Sequence, residues 1–201
     1  MENLVFRRDE MQPRPDVDLG GGRTRQLVLF TDAFVIRGSL RTMARRLSDA
    51  LNTAEEGFFV MEDVTFEEHG TGGALEHAGY AQVNLATVLF AHEPGDAVTT
   101  PPELRTVKVA QPALVSLPPF RVVGDIHVLP ERELRHALHE LVGRFVPITD
   151  ATYWSAGLRI PRTEVSMLAF NHERSQILAP YGVDAGGRST DAGDGPTVGG
   201  D

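Results

Sequence analysis

The chain has 201 residues, of which 41% are hydrophobic, and its 28 acidic and 19 basic side chains give a formal net charge of −9. The absence of cysteine excludes disulfide bonds, thiolate catalysis and cysteine-ligated metal centres. The acidic balance disfavours nucleic acid and anionic membranes as partners. We find no long apolar run and no signal-peptide pattern, and therefore expect a cytoplasmic protein.

Both ends of the chain are predicted to be flexible. Residues 1–24 combine charged side chains with prolines and a run of three glycines, and residues 179–201 are rich in Gly, Asp, Ser and Thr without apolar periodicity. Such segments cannot bury enough apolar surface to offset the entropy that ordering would cost. We therefore expect disordered tails around two folded units, residues 25–95 and 112–178, with residues 96–111 as their connector.

The pattern of the first unit predicts the order strand, strand, helix, strand, strand. LVLFTDAFVIRGSLRT places two runs rich in apolar, β-branched and aromatic residues on either side of a polar Thr-Asp pair, which favours a β-hairpin. Met43, Leu47 and Leu51 then lie at helical spacing and predict a helix with one apolar face. GFFVMEDVTF and VNLATVLFAHE are rich in β-branched and aromatic residues, so each predicts one further strand.

The second unit repeats this order in ALVSLPPFRVVGDIHV, RELRHALHEL, RFVPITDATYW and EVSMLAFNHE. Gly38 matches Gly124 at an offset of 86 residues, and Asp63 matches Asp150 at 87. Matches over four elements indicate an internal duplication. The glycines predict a close backbone approach and the aspartates a turn or bulge. We expect a β-rich α+β fold in which two tandem ββαββ units, small-barrel or sandwich-like, pack together.

A His-Glu pair closes each unit, at residues 92–93 and 172–173. The two pairs are 80 residues apart. Since insertions belong in loops, this shorter offset predicts about seven extra residues in the Gly- and His-rich stretch between Glu67 and Tyr80. Neighbouring side chains of a strand point to opposite faces, so each pair predicts a polar strand end rather than a site.

Histidines are the candidate metal ligands in a chain without cysteine. His92 and His172 would meet if the two units pack symmetrically. His136 and His139 lie three residues apart on the second predicted helix, a spacing that places both imidazoles on one face. A metal ion or small ligand at the interface of the units is therefore the alternative to a structural role, although no cofactor is indicated.

No catalytic template fits the sequence. The glycines of DLGGGRTR lack both a preceding strand and the Gly-Lys-Ser/Thr ending of a phosphate loop. WSAG around Ser155 lacks the first glycine of a nucleophile elbow. We therefore predict no catalytic residue and no enzymatic activity. Trp154, Tyr153 and Phe120 are the aromatic candidates for an interaction patch.

The succession FVIRGSL, RLSDALN, FFVMEDVTF and VNLATVLF resembles an uncharacterised bacterial domain family of short β-rich units. It is also similar in strand pattern to Sm-like small β-barrels. The second resemblance implies RNA binding, with Asp49 and Asn52 at the positions of the contacting Asp and Asn. The second unit has residues 135–139 there instead, and the net charge of −9 opposes RNA binding.

These observations predict a non-enzymatic intracellular scaffold, adaptor or regulatory module. It would act through a protein partner or through self-association, without nucleic acid or membrane. A small-ligand or metal-binding protein and an Sm-like RNA-binding protein are the alternatives.

Overall fold

The computed structural model describes residues 22–54, 57–70, 75–95, 108–130 and 143–182. In these ranges ten β-strands form one open antiparallel sheet, accompanied by one short α-helix. The strands are β1 (Arg23–Thr31), β2 (Phe34–Thr42), β3 (Phe58–Glu68), β4 (Glu76–Asn84), β5 (Val88–His92), β6 (Val109–Leu117), β7 (Phe120–Val128), β8 (Phe145–Ser155), β9 (Ile160–Asn171) and β10 (Ile177–Pro180). Helix α1 covers Leu47–Asn52, and a 3-10 turn covers His172–Arg174.

Several predicted segments lie outside the described residues. They are the second predicted helix and most of the two tails and of the connector. Where the structure does describe these segments, strands extend into them: β1 begins at Arg23, β6 begins at Val109 and β10 ends at Pro180. No helix in the described ranges is long and apolar enough to cross a membrane.

The strand order across the sheet is β10-β6-β7-β8-β9-β5-β1-β2-β3-β4. The strands of the first half of the chain occupy one side of the sheet and those of the second half occupy the other, and β5 pairs with β9 where they meet. In each half the first strand pairs with the last, β1 with β5 and β6 with β10. The β-rich prediction is therefore confirmed, as one continuous open sheet with β4 and β10 at its edges.

In the described residues each half contributes five strands to the sheet, where four were predicted. VNLATVLFAHE contains the end of β4 and the whole of β5, separated by a turn at residues 85–87. The Asn84 side chain shapes this turn by accepting a hydrogen bond from Ala86 N at 2.9 Å. Because the turn contains neither Gly nor Pro, an apolar run conceals it in the sequence.

The two His-Glu pairs occupy different places in the sheet. The first pair begins at the last residue of β5, whereas the second follows β9 and opens the 3-10 turn. The hairpins before them are equally long, since Phe58 pairs with Asn84 in one and Phe145 with Asn171 in the other, at an offset of 87. The predicted insertion of about seven residues is therefore wrong, because it came from matching the two His-Glu pairs.

Irregularities occur at matching places of the β2–β3 and β7–β8 pairs. Asp63 and Asp150 have positive φ angles of 49° and 48°, and the register of each pair shifts at this point. Gly38 and Gly124 lie at the same shifts on the neighbouring strands. A Cβ atom on them would lie 2.9 Å and 2.7 Å, respectively, from a backbone carbonyl oxygen of the partner strand. Glycine is needed there because any side chain would collide with that oxygen.

Each half of the chain contributes side chains to the core of the other. One core cluster lies mainly in the second half but includes Phe30 and Phe90. The other lies mainly in the first half, around α1, but includes Phe145 and Ala169. Burying a phenylalanine contributes roughly 1.5–3 kcal/mol, so this exchange of side chains stabilises the two halves as one body.

Candidate functional site

The structure does not bring His92 and His172 together. Phe90 pairs with Phe170 on the antiparallel strands β5 and β9. Each histidine follows its phenylalanine by two residues, and because the strands run in opposite directions the two histidines lie on opposite sides of that pair. Four residue steps separate them along the strands, roughly 13 Å at the rise of a β-strand. These two histidines therefore do not form the shared metal site that the sequence suggested.

The other two candidate ligands, His136 and His139, lie outside the described residues. Within the ranges that the structure describes, no three His, Asp or Glu side chains are grouped so that they could hold a metal ion. The acids of the two His-Glu pairs have other partners: Glu93 forms an ion pair with Arg25, and Glu173 forms one with Arg144 at 3.1 Å.

An aromatic cluster lies where the two halves meet. We define it as Phe30, His69, Phe90, His92, Phe120 and Tyr153. Phe30 stacks on Phe90 with ring centroids 4.5 Å apart, and the centroids of His92 and Tyr153 are 5.8 Å apart. Phe120 and Tyr153 are buried, so these two rings do not form a surface patch for interaction with a partner. Trp154 is half-buried and has the Arg162 guanidinium 4.4 Å from its ring centroid.

Burial in this cluster disfavours protonation of the His92 imidazole. The residue is 8% exposed, Nδ1 donates to Glu93 O at 3.1 Å, and Nε2 is buried without a hydrogen-bond partner in the described part of the chain. Burial lowers the pKa of His92, and the charge of Arg37 lowers it further, against the opposing effect of the hydrogen bond. Burial also raises the pKa of Tyr153, although its hydrogen bond to Thr163 opposes this. Both rings are largely shielded from solvent, at 8% exposure for His92 and 6% for Tyr153.

The two halves meet at a junction that consists of the β5–β9 pair, α1 and the turn after β4. The β5–β9 ladder is only two residue pairs long, so side chains supply much of the contact. Asn171 is 0% exposed and donates from Nδ2 to the carbonyl oxygens of Val88 at 3.0 Å and Leu85 at 3.4 Å. Asn52 donates to Phe145 O at 2.9 Å and accepts from Phe145 N at 2.8 Å. Asn52 is therefore engaged at the junction, and not free for the RNA contact that the Sm-like resemblance implied.

The sheet edges leave apolar side chains exposed. Within the described ranges no strand pairs with the outer side of β4 or of β10. Near the first edge Phe58 and Tyr80 are 43% and 75% exposed, and at the second edge Ile177 is 57% exposed. An edge strand of this kind is a template for pairing with another strand.

A shallow open depression of about 360 Å³ lies over β8 and β9. Its polar lining includes Asp150, Thr152 and Glu164, which are exposed or half-buried. Small-molecule sites are concave and mostly apolar, with few polar groups. The depression therefore gives little support to a ligand site.

Comparison of the chain with protein-family models, with curated proteins and with solved structures gives no match. The resemblances to a bacterial domain family and to Sm-like barrels stay predictions.

Asn84 and Asn171 were not among the residues predicted from sequence, and Asn52 was named only for an RNA contact. A signal was nevertheless present, since Asn84 in VNLAT and Asn171 in FNHER are separated by the same 87 residues as the two aspartates. The His-Glu pairs resemble metal ligands or acid/base residues. Matching them at an offset of 80 residues concealed the asparagine match at 87.

Proposed function

We propose that the protein is a non-enzymatic scaffold or adaptor, made of two copies of one five-stranded unit, that binds polypeptides by pairing with the edges of its sheet. The junction carries the proposal, because there the chain joins two such units edge to edge through β5 and β9. In strand addition, main-chain hydrogen bonds supply affinity and neighbouring side chains supply specificity. Both outer edges offer the groups that such binding uses.

The duplication is supported by a constant offset of 87 residues from β3 onward. The hairpin from Phe58 to Asn84 corresponds to the one from Phe145 to Asn171. The last strands also correspond, since β5 and β10 each pair with the first strand of their half, and Phe90 and Ile177 occupy equivalent registers in those pairs. Two copies of this unit already pair through their edge strands within one chain. The same edges can therefore pair with further strands.

A metal- or ligand-binding protein is the second candidate, favoured by Nε2 of His92, which has no hydrogen-bond partner among the described residues. That nitrogen is enclosed by aromatic rings, and at the offset of 87 the counterpart of His92 is Ala179, so the duplication does not repeat it. An RNA-binding function has less support, because the net charge is −9 and Asn52 is engaged at the junction.

Affinity capture from a cell extract tests edge binding when edge variants are compared with wild type. Tyr80→Asp and Ile177→Lys place charges on the two edges, and a charge on an edge strand opposes pairing. Leu129→Lys is the matched control, because Leu129 is 45% exposed but lies outside both edge strands. We expect captured polypeptides to be lost with an edge variant and kept with the control.

Capture that is insensitive to both edge variants would contradict the proposal. Elemental analysis of untagged protein decides the second candidate. Stoichiometric zinc, manganese or iron would favour a metal-binding function over a scaffold.

A further inference from the structure

The junction within the chain indicates which partner fits the two free edges. We propose that β4 of one molecule pairs with β10 of a second copy of this chain, in the register that β9 and β5 use within one molecule. This inference rests on the duplication and edge binding proposed above, and it names the partner.

The β4 edge presents the same asparagine as β9, with the same local hydrogen bond to the residue two positions later. Asn171 Oδ1 accepts a hydrogen bond from Glu173 N at 3.1 Å, and Asn84 Oδ1 accepts one from Ala86 N at 2.9 Å. At the junction Asn171 Nδ2 then donates to two carbonyl oxygens of the first half. Asn84 Nδ2 has no hydrogen-bond partner in the part of the chain that the structure describes, so an oriented donor is left available beside the β4 edge.

Exposure of matched phenylalanines points the same way. Phe145 is 1% exposed, because the first half covers it at the junction. Phe58, its counterpart 87 residues earlier on β3, is 43% exposed. Phenylalanine at this position is thus covered at the junction, where the other unit packs on it, and exposed near the β4 edge, where the described residues provide no second unit.

The β10 edge presents the carbonyl groups that this asparagine would bind. In the first half, the turn before β5 is closed by a hydrogen bond from Val88 N to Leu85 O at 3.3 Å. Asn171 donates to the carbonyl oxygens of these two residues. The turn before β10 is closed in the same way, from Ser175 N to His172 O at 3.2 Å. His172 and Ser175 therefore place the equivalent pair of carbonyl groups beside the free edge. His172 O already accepts a second hydrogen bond, from Ser175 Oγ at 2.6 Å, so the main acceptor for Asn84 is Ser175 O, the counterpart of Val88 O, which is the nearer acceptor of Asn171 at the junction.

The ladder at the junction also predicts the register between molecules. Shifting its two residue pairs by the offset of 87 places Ile177 opposite Val83 and Leu178 opposite Gln82 of the second molecule. In this register the Asn84 amide reaches the turn before β10. The contact joins two different surfaces, so it repeats head to tail and yields either a closed ring or a filament.

Light scattering of the full chain over a range of concentrations tests the association. We expect a mass above that of the monomer. Asn84→Asp keeps the oxygen that shapes the turn but replaces the Nδ2 donor with a charged acceptor, so we expect it to weaken association about tenfold or more. Ile177→Lys should weaken association from the opposite edge, and Leu129→Lys should leave it unchanged.

Cysteine pairs test the register, because the native chain contains no cysteine. One double variant carries Gln82→Cys with Leu178→Cys, and the other carries Val83→Cys with Ile177→Cys. The Cβ atoms of alternate antiparallel pairs differ in separation, so mild oxidation should link one of the two variants efficiently into multimers on a denaturing gel. Gln82→Cys combined with Leu129→Cys is the mismatched control and should remain unlinked.

Association that both edge variants weaken, together with cross-linking in the expected register, supports self-pairing. A monomer at every concentration without cross-linking overturns it, and so does association that both edge variants leave unchanged. Either negative result leaves the scaffold function to the capture experiment, since edge-dependent capture of other polypeptides does not require self-association.

Discussion

At Gly124 the chain has room for a hydrogen atom but not for a methyl group. A Cβ atom there would lie 2.7 Å from Thr149 O and 3.0 Å from Ala151 Cα, both of which are backbone atoms of β8. The backbone of an interior strand cannot move aside cheaply, so we expect Gly124→Ala to lower the free energy of unfolding by roughly 1–3 kcal/mol. Urea unfolding followed by circular dichroism measures this change. Gly79→Ala is the control, because nothing lies within 4 Å of its Cβ position, and an equal effect there would contradict the steric explanation.

His92 makes the stability of the fold depend on pH. Its pKa lies below the ordinary value of 6.5, because burial and then the charge of Arg37 disfavour the protonated ring. The unfolded chain therefore binds a proton at a pH where the folded chain does not, and stability rises with pH wherever the unfolded state binds more protons. The contribution of His92 is complete above pH 6.5 and is lost as the pH falls toward and through the lowered pKa.

Thermal unfolding of wild type and of His92→Phe, at pH 8 and at pH 5, isolates this contribution. Phenylalanine is compatible with an aromatic cluster and does not titrate. We expect the melting temperature of the wild type to fall more than that of the variant as the medium is acidified. Equal decreases would assign the pH dependence to other histidines and carboxylates.

At the scale of elements, helix α1 depends on its contact with β8. Its six residues are too few for a helix that is stable by itself. Asn52→Ala removes both hydrogen bonds to Phe145 and should lower the free energy of unfolding by about 1–3 kcal/mol. Chemical denaturation measures the change, with Asp49→Ala on the exposed side of the same helix as the control. If the two variants were equally destabilised, Asn52 would not be the anchor.

The elements that were predicted correctly are those with a local signal. Two runs of β-branched and aromatic residues around the polar Thr31-Asp32 pair were sufficient to predict β1 and β2, because such side chains favour strands and a polar pair favours a turn. The division between β4 and β5 was missed because Asn84 forms the turn by a side-chain hydrogen bond inside an apolar run. The match between the histidines failed for a related reason, since identical dipeptides need not occupy equivalent strands.

At the scale of the whole molecule, the two halves should unfold together. Leu29→Ala empties a fully buried position of the first half and should cost about 2–5 kcal/mol. Trp154, the single tryptophan of the chain, lies in the second half. We expect its fluorescence transition to shift by the same amount as the circular dichroism transition, because the halves share their cores. A tryptophan transition that does not move would show that the halves unfold separately.

The sequence alone determined that the chain is rich in β-strands and which positions recur at a fixed spacing, because residue type and spacing are read directly from the chain. The tertiary structure decided which of those positions are covered. Phe58 and Phe145 are the same residue type at the offset of 87, yet their exposed fractions are 43% and 1%. The difference arises because β5 lies beside β9 while nothing in the described chain lies beside β4. That arrangement depends on a pairing between Phe90 and Phe170, 80 residues apart, which no local pattern contains.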